Sequence, residues 1–386
     1  MPERLPARLP PLWLSASALA AAITCVFGVA RWIDHFISDP AAQDLRLHLV
    51  AARVGLTYGW GHIYDVSLQK HVAAALGPSG SVIDSMHVFI SPPPTAWMLV
   101  PLAWQPPAVS FLVWTVISVV AFVAAGWLIV PGPRFARLTV LLVSLALYPV
   151  HYELWQGQTV IATLALLAVA YRLLEREQWV LSGLALAAAF CFKPQDALLV
   201  PIALLISGRW RPIMVFAVAG SVIAAVSALS LGMEGINSWL SDLALVQGDP
   251  HNAAMSYSYL FGRNEITTAI EVALGCAAIA IAWIQRRRVD LVFAAALVGS
   301  TMSASYLHEH DITILVLGAW IVLRAGPSVA QRFWLLAGIA AAQFIAIGQP
   351  IPMLLWEPAW AILLGLEARF APRPVAHLTE SPAALT

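Results

Sequence analysis

The sequence predicts an all-α polytopic membrane protein: a bundle of about twelve transmembrane helices with an amphipathic helix in an outer-face loop. Three observations lead there. Of the 386 residues, 60% are hydrophobic and 11% charged, and the mean hydropathy is +0.79, far from the averages of soluble domains. The hydrophobic residues gather into a succession of apolar stretches, several approaching the roughly 20 residues that cross a bilayer. The polar residues between them collect on one side of the membrane once the positive charges are placed inside. Lys plus Arg and Asp plus Glu balance at 21 each, which argues against a nucleic-acid partner or a polybasic membrane-surface protein. Cys25, Cys191 and Cys276 lie inside apolar runs without Cys-x-x-Cys spacing, so neither a disulfide framework nor a thiolate metal site is indicated.

The first apolar run, Leu12 to Ala30, follows Arg4 and Arg8. It lacks a small-residue cleavage site and reads as an uncleaved first span. Residues 31–85 then form a long polar insertion carrying Asp34, Asp39, Asp44, Asp65 and Asp84. Within it Leu45, Leu49, Ala52 and Leu56 recur at helical spacing, which predicts an amphipathic helix over Asp44 to Leu56 lying along the interface. Between 86 and 130 two apolar runs flank Gln105-Pro106-Pro107. Parity allows one net crossing there, and the Ser91-Pro92-Pro93-Pro94 start favours a re-entrant segment. Further spans are expected near 138–151, 158–173, 179–192, 196–207, 212–231, 266–284, 290–306, 311–324, 332–348 and 352–368. Arg134 with Arg137, Arg172 with Arg176, Arg209 with Arg211, Arg286-Arg287-Arg288, and Arg324 with Arg332 mark the inner face, since cytoplasmic loops collect positive charge. The outer face then holds 31–85, 151–157, 193–195, a second long insertion at 232–265, 307–311 and 349–351. Residues 1–370 read as a single integral membrane domain and 371–386 as a mobile tail.

The outer-face residues resemble a known family. Asp44-Leu45-Arg46-Leu47-His48-Leu49-Val50-Ala51-Ala52-Arg53, followed by Gly59 and Ile63-Tyr64-Asp65, is similar to the Asp-Phe-x-x-Tyr-x-x-Ala-Ala and Leu-Tyr-Asp pattern in the first outer loop of glycosyltransferase family 87. The resemblance continues through Phe89-Ile90-Ser91-Pro92-Pro93, Trp155-Gln156-Gly157-Gln158, Gly183 to Lys193-Pro194, and Tyr306 to Asp311. Leu45, His48, Ser91 and Val160 depart from the family pattern, which bears on the identity of donor and acceptor. The resemblance implies a helix bundle of the GT-C class, with an active site facing the periplasm or cell exterior from a bacterial plasma membrane. It implies a hexosyltransferase, mannose being the first candidate sugar, that takes its sugar from a polyprenyl phosphate and gives it to a lipid-linked or glycan acceptor among membrane lipids. No cofactor is expected, and a divalent metal is not required.

Transfer from a lipid phosphate with inversion needs a carboxylate to deprotonate the acceptor hydroxyl and donors to stabilise the departing phosphate. Asp44, opening the predicted helix at the position of the family Asp, is the expected base, with Asp34 and Asp39 as substitutes; the plainer reading is a carboxylate complementing the helix dipole. Lys193 ends an apolar span, where a cation either snorkels or meets an anion; a donor phosphate is such an anion. His308 and His310 are further phosphate candidates; Arg46 and Arg53, seven residues apart on a similar helix face, are weaker ones that suit the donor phosphate or lipid headgroups. Gln156 and Gln158 bracket Gly157 and could hold sugar hydroxyls through their amides. Tyr64 and His251 complete the substrate-binding set, with 247–263 as an acceptor entrance, although Trp60, Tyr64, Trp155, Tyr257 and Tyr259 also suit an interfacial aromatic belt. His308-Glu309-His310-Asp311 lacks the His-Glu-x-x-His spacing of a zinc site. The competing class is a transporter or flippase; against it, no inverted repeat is visible and the ionisable groups gather on one face.

Overall fold

A computed structural model describes residues 10–38, 43–76 and 87–370, with helix and turn but no strand among them. Asp39, Asp84 and the tail 371–386 lie outside the described residues. Helix α1 (Leu12–Ser38) runs past Ala30 and takes in Arg31 and Asp34. Most of its side chains are exposed, and only Ala21 and Gly28 are buried, as suits a helix whose solvent is lipid. Gly28 is where α1 meets its neighbour, because an added Cβ there would lie 2.3 Å from the His151 ring.

Helix α2 (Gln43–Tyr58) forms where the periodicity places it. It does not lie along an interface, however. Leu45, Leu49 and Ala52 are buried as the pattern requires, but so are Arg46, His48, Val50, Ala51 and Val54, so both faces are covered. Helix α3 (Val66–Ala74) packs on α2 and is capped by Asp65, whose carboxylate accepts from the amides of Ser67 and Leu68. Helices α4 (Pro93–Met98) and α5 (Val100–Ala103) are too short to cross a bilayer, and the one long helix in this stretch is α6 (Pro107–Ile129).

Two helices replace the single span expected at 138–151. Helices α7 (Arg134–Leu145) and α8 (Tyr148–Gln156) are bent by 63° relative to each other. Leu147 is extended and Pro149 sits in the first turn of α8, the part of a helix where proline is tolerated. Helices α9 (Val160–Glu175) and α10 (Trp179–Phe190) follow, then a 3-10 turn (Pro194–Ala197) and α11 (Leu199–Ile206). Helix α12 (Trp210–Gly248) is 39 residues long and broken at Gly232, where φ is 63°, a conformation cheap only for glycine. The insertion expected at 232–265 is therefore half helix. It ends in a 3-10 turn (Pro250–Ala253) and α13 (Tyr257–Phe261).

Helices α14 (Glu265–Ile284), α15 (Val289–Met302), α16 (Ile314–Arg324), α17 (Val329–Phe344) and α18 (Ile351–Phe370) complete the chain, with a 3-10 turn (Glu309–Thr313) ahead of α16. Every residue of α15 from Leu291 to Met302 is buried, so this helix, apolar on all sides, is the centre of the bundle. Among the described residues five helices are long and apolar enough to cross a membrane: α1, α6, α12, α14 and α17 with its extension to Ile347. Counting the bent α7–α8 pair makes six.

Candidate active site

Lys193 follows the end of α10 in an extended conformation, as a residue before proline should. Its side chain turns inward and is only 6% exposed. The ammonium pairs with the Asp311 Oδ1 carboxylate oxygen and lies 2.9 Å from His310 Nε2. Asp311 Oδ2 accepts from the His308 amide at 2.8 Å, so this carboxylate both neutralises Lys193 and ties the turn ahead of α16. Burial disfavours the ammonium, yet Asp311, Asp196 and Glu153 outweigh it and hold the Lys193 pKa above the ordinary lysine value. Burial would also raise Asp311, but Lys193 holds it down at about 2. His310 is pushed well below its ordinary value by burial and by the Lys193 charge. It is therefore a neutral ring, with Nε2 accepting from Lys193 and Nδ1 without a partner among the described residues.

Two more carboxylates surround this pair. Asp196, in the 3-10 turn just after Lys193, is fully buried, and neither of its oxygens has a hydrogen-bond partner among the described residues. Burial and the Asp311 charge hold its pKa well above the usual carboxylate range. Glu153, on α8, accepts from the Ile161 amide at 3.0 Å through Oε1 and leaves Oε2 unpaired. Sequence reasoning missed both. Each is a lone acid beside an apolar run, and the only signal was that such an acid is costly unless it has a task.

Helix α8 also supplies a half-buried aromatic surface. Tyr148, Tyr152 and Trp155 fall on one face of the helix by their spacing of four and three residues. The Tyr152 ring stacks on His310 at 6.0 Å, His308 stacks on His310 at 5.4 Å, and Tyr306 meets His308 edge-on at 5.1 Å. Asp44 opens α2 beside this surface, half-exposed, and its charge reaches Tyr152, Glu153 and Tyr306. One turn along α2, His48 Nδ1 donates to the Asp44 carbonyl at 2.6 Å, and Ser91 Oγ lies 3.2 Å from His48 Nε2. His48 and Ser91, two of the positions that depart from the family pattern, thus meet each other.

The remaining expected residues divide. Gln156 is half-exposed at the C-terminal end of α8, at the edge of the aromatic face. Gln158 is half-buried, with its side-chain oxygen 3.3 Å from the Thr159 amide and its carbonyl accepting from Trp114 Nε1. Arg46 is 4% exposed within α2, inside the protein rather than at a lipid headgroup. Tyr64 is a correction. It is 1% exposed, stacked between Phe89 and Trp239, with its hydroxyl donating to the Ser91 carbonyl at 2.6 Å, so it is a core residue with no face left for a sugar or an interface. Tyr257 is buried as well, its hydroxyl donating to the Leu354 carbonyl. Arg53 pins α5 through the carbonyls of Ala103 and Gln105. Asp34 is exposed on α1. His251 falls in the Pro250–Ala253 turn, and its side chain lies outside what is described. That segment does reach the site: the Met255 amide donates to the Leu307 carbonyl and the Leu307 amide to the Asn252 carbonyl. The place a cation would take between His310 and Asp311 is held by the Lys193 ammonium.

The sequence model of glycosyltransferase family 87 matches residues 89–307, more than half of the chain. The chain belongs to glycosyltransferase family 87. It is a membrane glycosyltransferase, and its all-helical structure with several apolar helices accords with that. The family segment contains Glu153, Lys193 and Asp196; the His308 to Asp311 turn begins directly after its end, whereas Asp44 lies well before its start. No curated protein and no solved structure matches the chain.

Proposed function

We propose that this family 87 enzyme transfers a hexose, mannose first among the candidates, from a polyprenyl-phosphate sugar to a lipid-linked or glycan acceptor. The observation that carries the reading is the position of Asp44, a half-exposed carboxylate beside a half-buried aromatic surface, backed by the buried Lys193–Asp311 pair. In the proposed reaction Asp44 takes the proton of an acceptor hydroxyl as its oxygen bonds to the anomeric carbon. The bond from that carbon to the phosphate oxygen breaks, and polyprenyl phosphate leaves with the electron pair, inverting the anomeric centre. The half-buried Tyr148, Tyr152 and Trp155 side chains border the place of the sugar, and Gln156 offers an amide to its hydroxyls. Lys193 acts one layer back. Its charge is already met by Asp311, so it fixes His310 and the turn that carries His308; the half-buried His308 ring faces the donor, with the buried His310 ring behind it.

The bundle belongs in this reading to the GT-C class, with about twelve crossings, the arginine pairs inside and the Asp44 end outside a bacterial plasma membrane. A cysteine placed near His251 should then react with an impermeant reagent from outside and one near Arg287 should not; the reverse pattern inverts the active face. For the chemistry, Asp44→Asn should lower kcat about 10²- to 10⁴-fold while donor binding and thermal stability hold. Near-normal turnover by that variant refutes the base. Labelled sugar arriving from a nucleotide donor alone refutes the lipid donor.

A further inference from the structure

Arg31 has no role in the reading so far. It lies in the last two turns of α1, exposed, among side chains such as Phe27 and Ile33 that also face outward. A cation there is costly unless it reaches headgroups or meets an anion. Among the described residues its only contact of note is aromatic: the guanidinium carbon stands 4.3 Å from the centroid of the Trp155 ring, with no carboxylate at salt-bridge distance. Stacking occupies one face of the guanidinium and leaves its N–H donors, which radiate from the edge, unspent.

The position is built. One turn back, Gly28 brings α1 so close to α8 that any Cβ would enter the His151 ring, which closes the seam there and sets Arg31 over Trp155. From Trp155 the rings lead inward, to Tyr152 at 6.4 Å and from Tyr152 to His310 at 6.0 Å. Glu309 is the nearby acid, and it and Arg31 both act on Tyr148. Lys193 makes the contrast: it is buried, with its charge already met by Asp311. Of the two cations, Arg31 is the exposed one, with donors to spare.

We infer that Arg31, held over Trp155, takes the phosphate of the lipid-linked donor as it enters from the bilayer at the α1–α8 seam, an assignment that rests on the lipid-phosphate reading proposed above. A planar guanidinium binds phosphate through two parallel hydrogen bonds, which an ammonium cannot reproduce. The same chemistry would accept an anionic phospholipid headgroup, so the test separates the two.

Full-length protein in phosphatidylcholine nanodiscs is titrated with labelled polyprenyl phosphate. Arg31→Gln should weaken binding about tenfold or more, and Arg31→Lys should fall between it and the wild type. The melting temperature should hold in both variants, because Arg31 is exposed. Unchanged binding by Arg31→Gln overturns the assignment, as does a wild type that fails to bind the probe. Displacement of the probe by equimolar phosphatidylglycerol overturns it in favour of a general headgroup site. Turnover in parallel separates the two layers of argument. An active wild type whose donor KM is indifferent to Arg31→Gln removes Arg31 and leaves the lipid donor standing, whereas transfer only from a nucleotide sugar removes the donor class itself.

Discussion

The two ends of α9 carry the same kinds of charge and treat them in opposite ways. At the Glu175 end, Glu175 pairs with Arg172 and lies 3.3 Å from Arg324, all three side chains between 18% and 30% exposed. Nearby helix ends do the same: Arg209 donates to the Arg286 carbonyl at 2.9 Å, and Arg288 pairs with Asp290 at 2.8 Å. At the Val160 end, one ammonium and three carboxylates, Lys193 with Asp311, Asp196 and Glu153, are buried together and leave several oxygens unpaired. Water screens the first set, so each pair is worth little and can be lost cheaply. The second set has exchanged water for one another. A buried ion pair is often no more stable than an apolar substitute would be, so stability alone does not account for it, and perturbed buried charge is more at home in a reaction centre.

The widest gap between the two ends should open at Lys193. Lys193→Ala leaves Asp311 charged and unpaired in the interior, a loss of about 3–5 kcal/mol, and should abolish transfer because His310 and the turn ahead of α16 lose their anchor. Lys193→Met combined with Asp311→Asn removes both charges and should recover much of the melting temperature with none of the activity. A single Lys193→Ala variant with a wild-type melting temperature would erase the contrast between the ends.

The contrast between the two ends could not be reasoned from sequence, and the reason is physical. Periodicity is a local signal, and where it applies the elements fall close to expectation: 158–173 against Val160–Glu175, 179–192 against Trp179–Phe190, 266–284 against Glu265–Ile284. Lys193, His310 and Asp311 were each visible as a polar interruption, but 117 residues separate Lys193 from His310, and no spacing rule joins positions so far apart. Lys193 therefore looked like a cation awaiting a phosphate when it already had a carboxylate. Helix α2 was expected along the interface because its pattern is amphipathic only if half its surface is wet, and the packing of α3, α4, α5 and α8 around it buries Arg46 and His48 as well. The break at Gly232 and the bend before Tyr148 are single-residue backbone events inside apolar runs, below the grain of any hydropathy pattern.

A smaller effect belongs to Asp196. Its folded pKa is raised by burial and by Asp311, with Lys193 opposing and Glu153 adding to the rise. A raised pKa means the group favours the folded state only while protonated, so its contribution is fully present below the unfolded value near 4 and is lost as pH rises toward the folded one. Asp196→Asn should match the wild type in melting temperature at about pH 4 and exceed it increasingly toward neutrality. The Lys193–Asp311 pair gives no slope over that window. Asp311, depressed to about 2, stabilises above roughly pH 4 and fails only as pH falls through 2, and Lys193 is raised and fails only above the ordinary lysine range. A gap between the two melting curves that stays constant from pH 4 to 8 would mean that Asp196 is charged in the fold and paired after all.

The smallest effect should come from the other end of α9. Arg324→Ala removes the longer of the two contacts to Glu175, between side chains 30% and 25% exposed, and leaves Arg172 to meet the charge. Exposed pairs of this kind contribute about 0.2–1 kcal/mol, so the melting temperature should fall by a few degrees at most and turnover should not change. Raising the ionic strength should shrink even that difference, since screening acts on exposed pairs and hardly on buried ones. The same salt titration on Lys193→Ala should leave its deficit intact. If Arg324→Ala instead loses turnover at full stability, charge at the Glu175 end takes part in the reaction cycle, and the division of the molecule into a structural end and a chemical end is wrong.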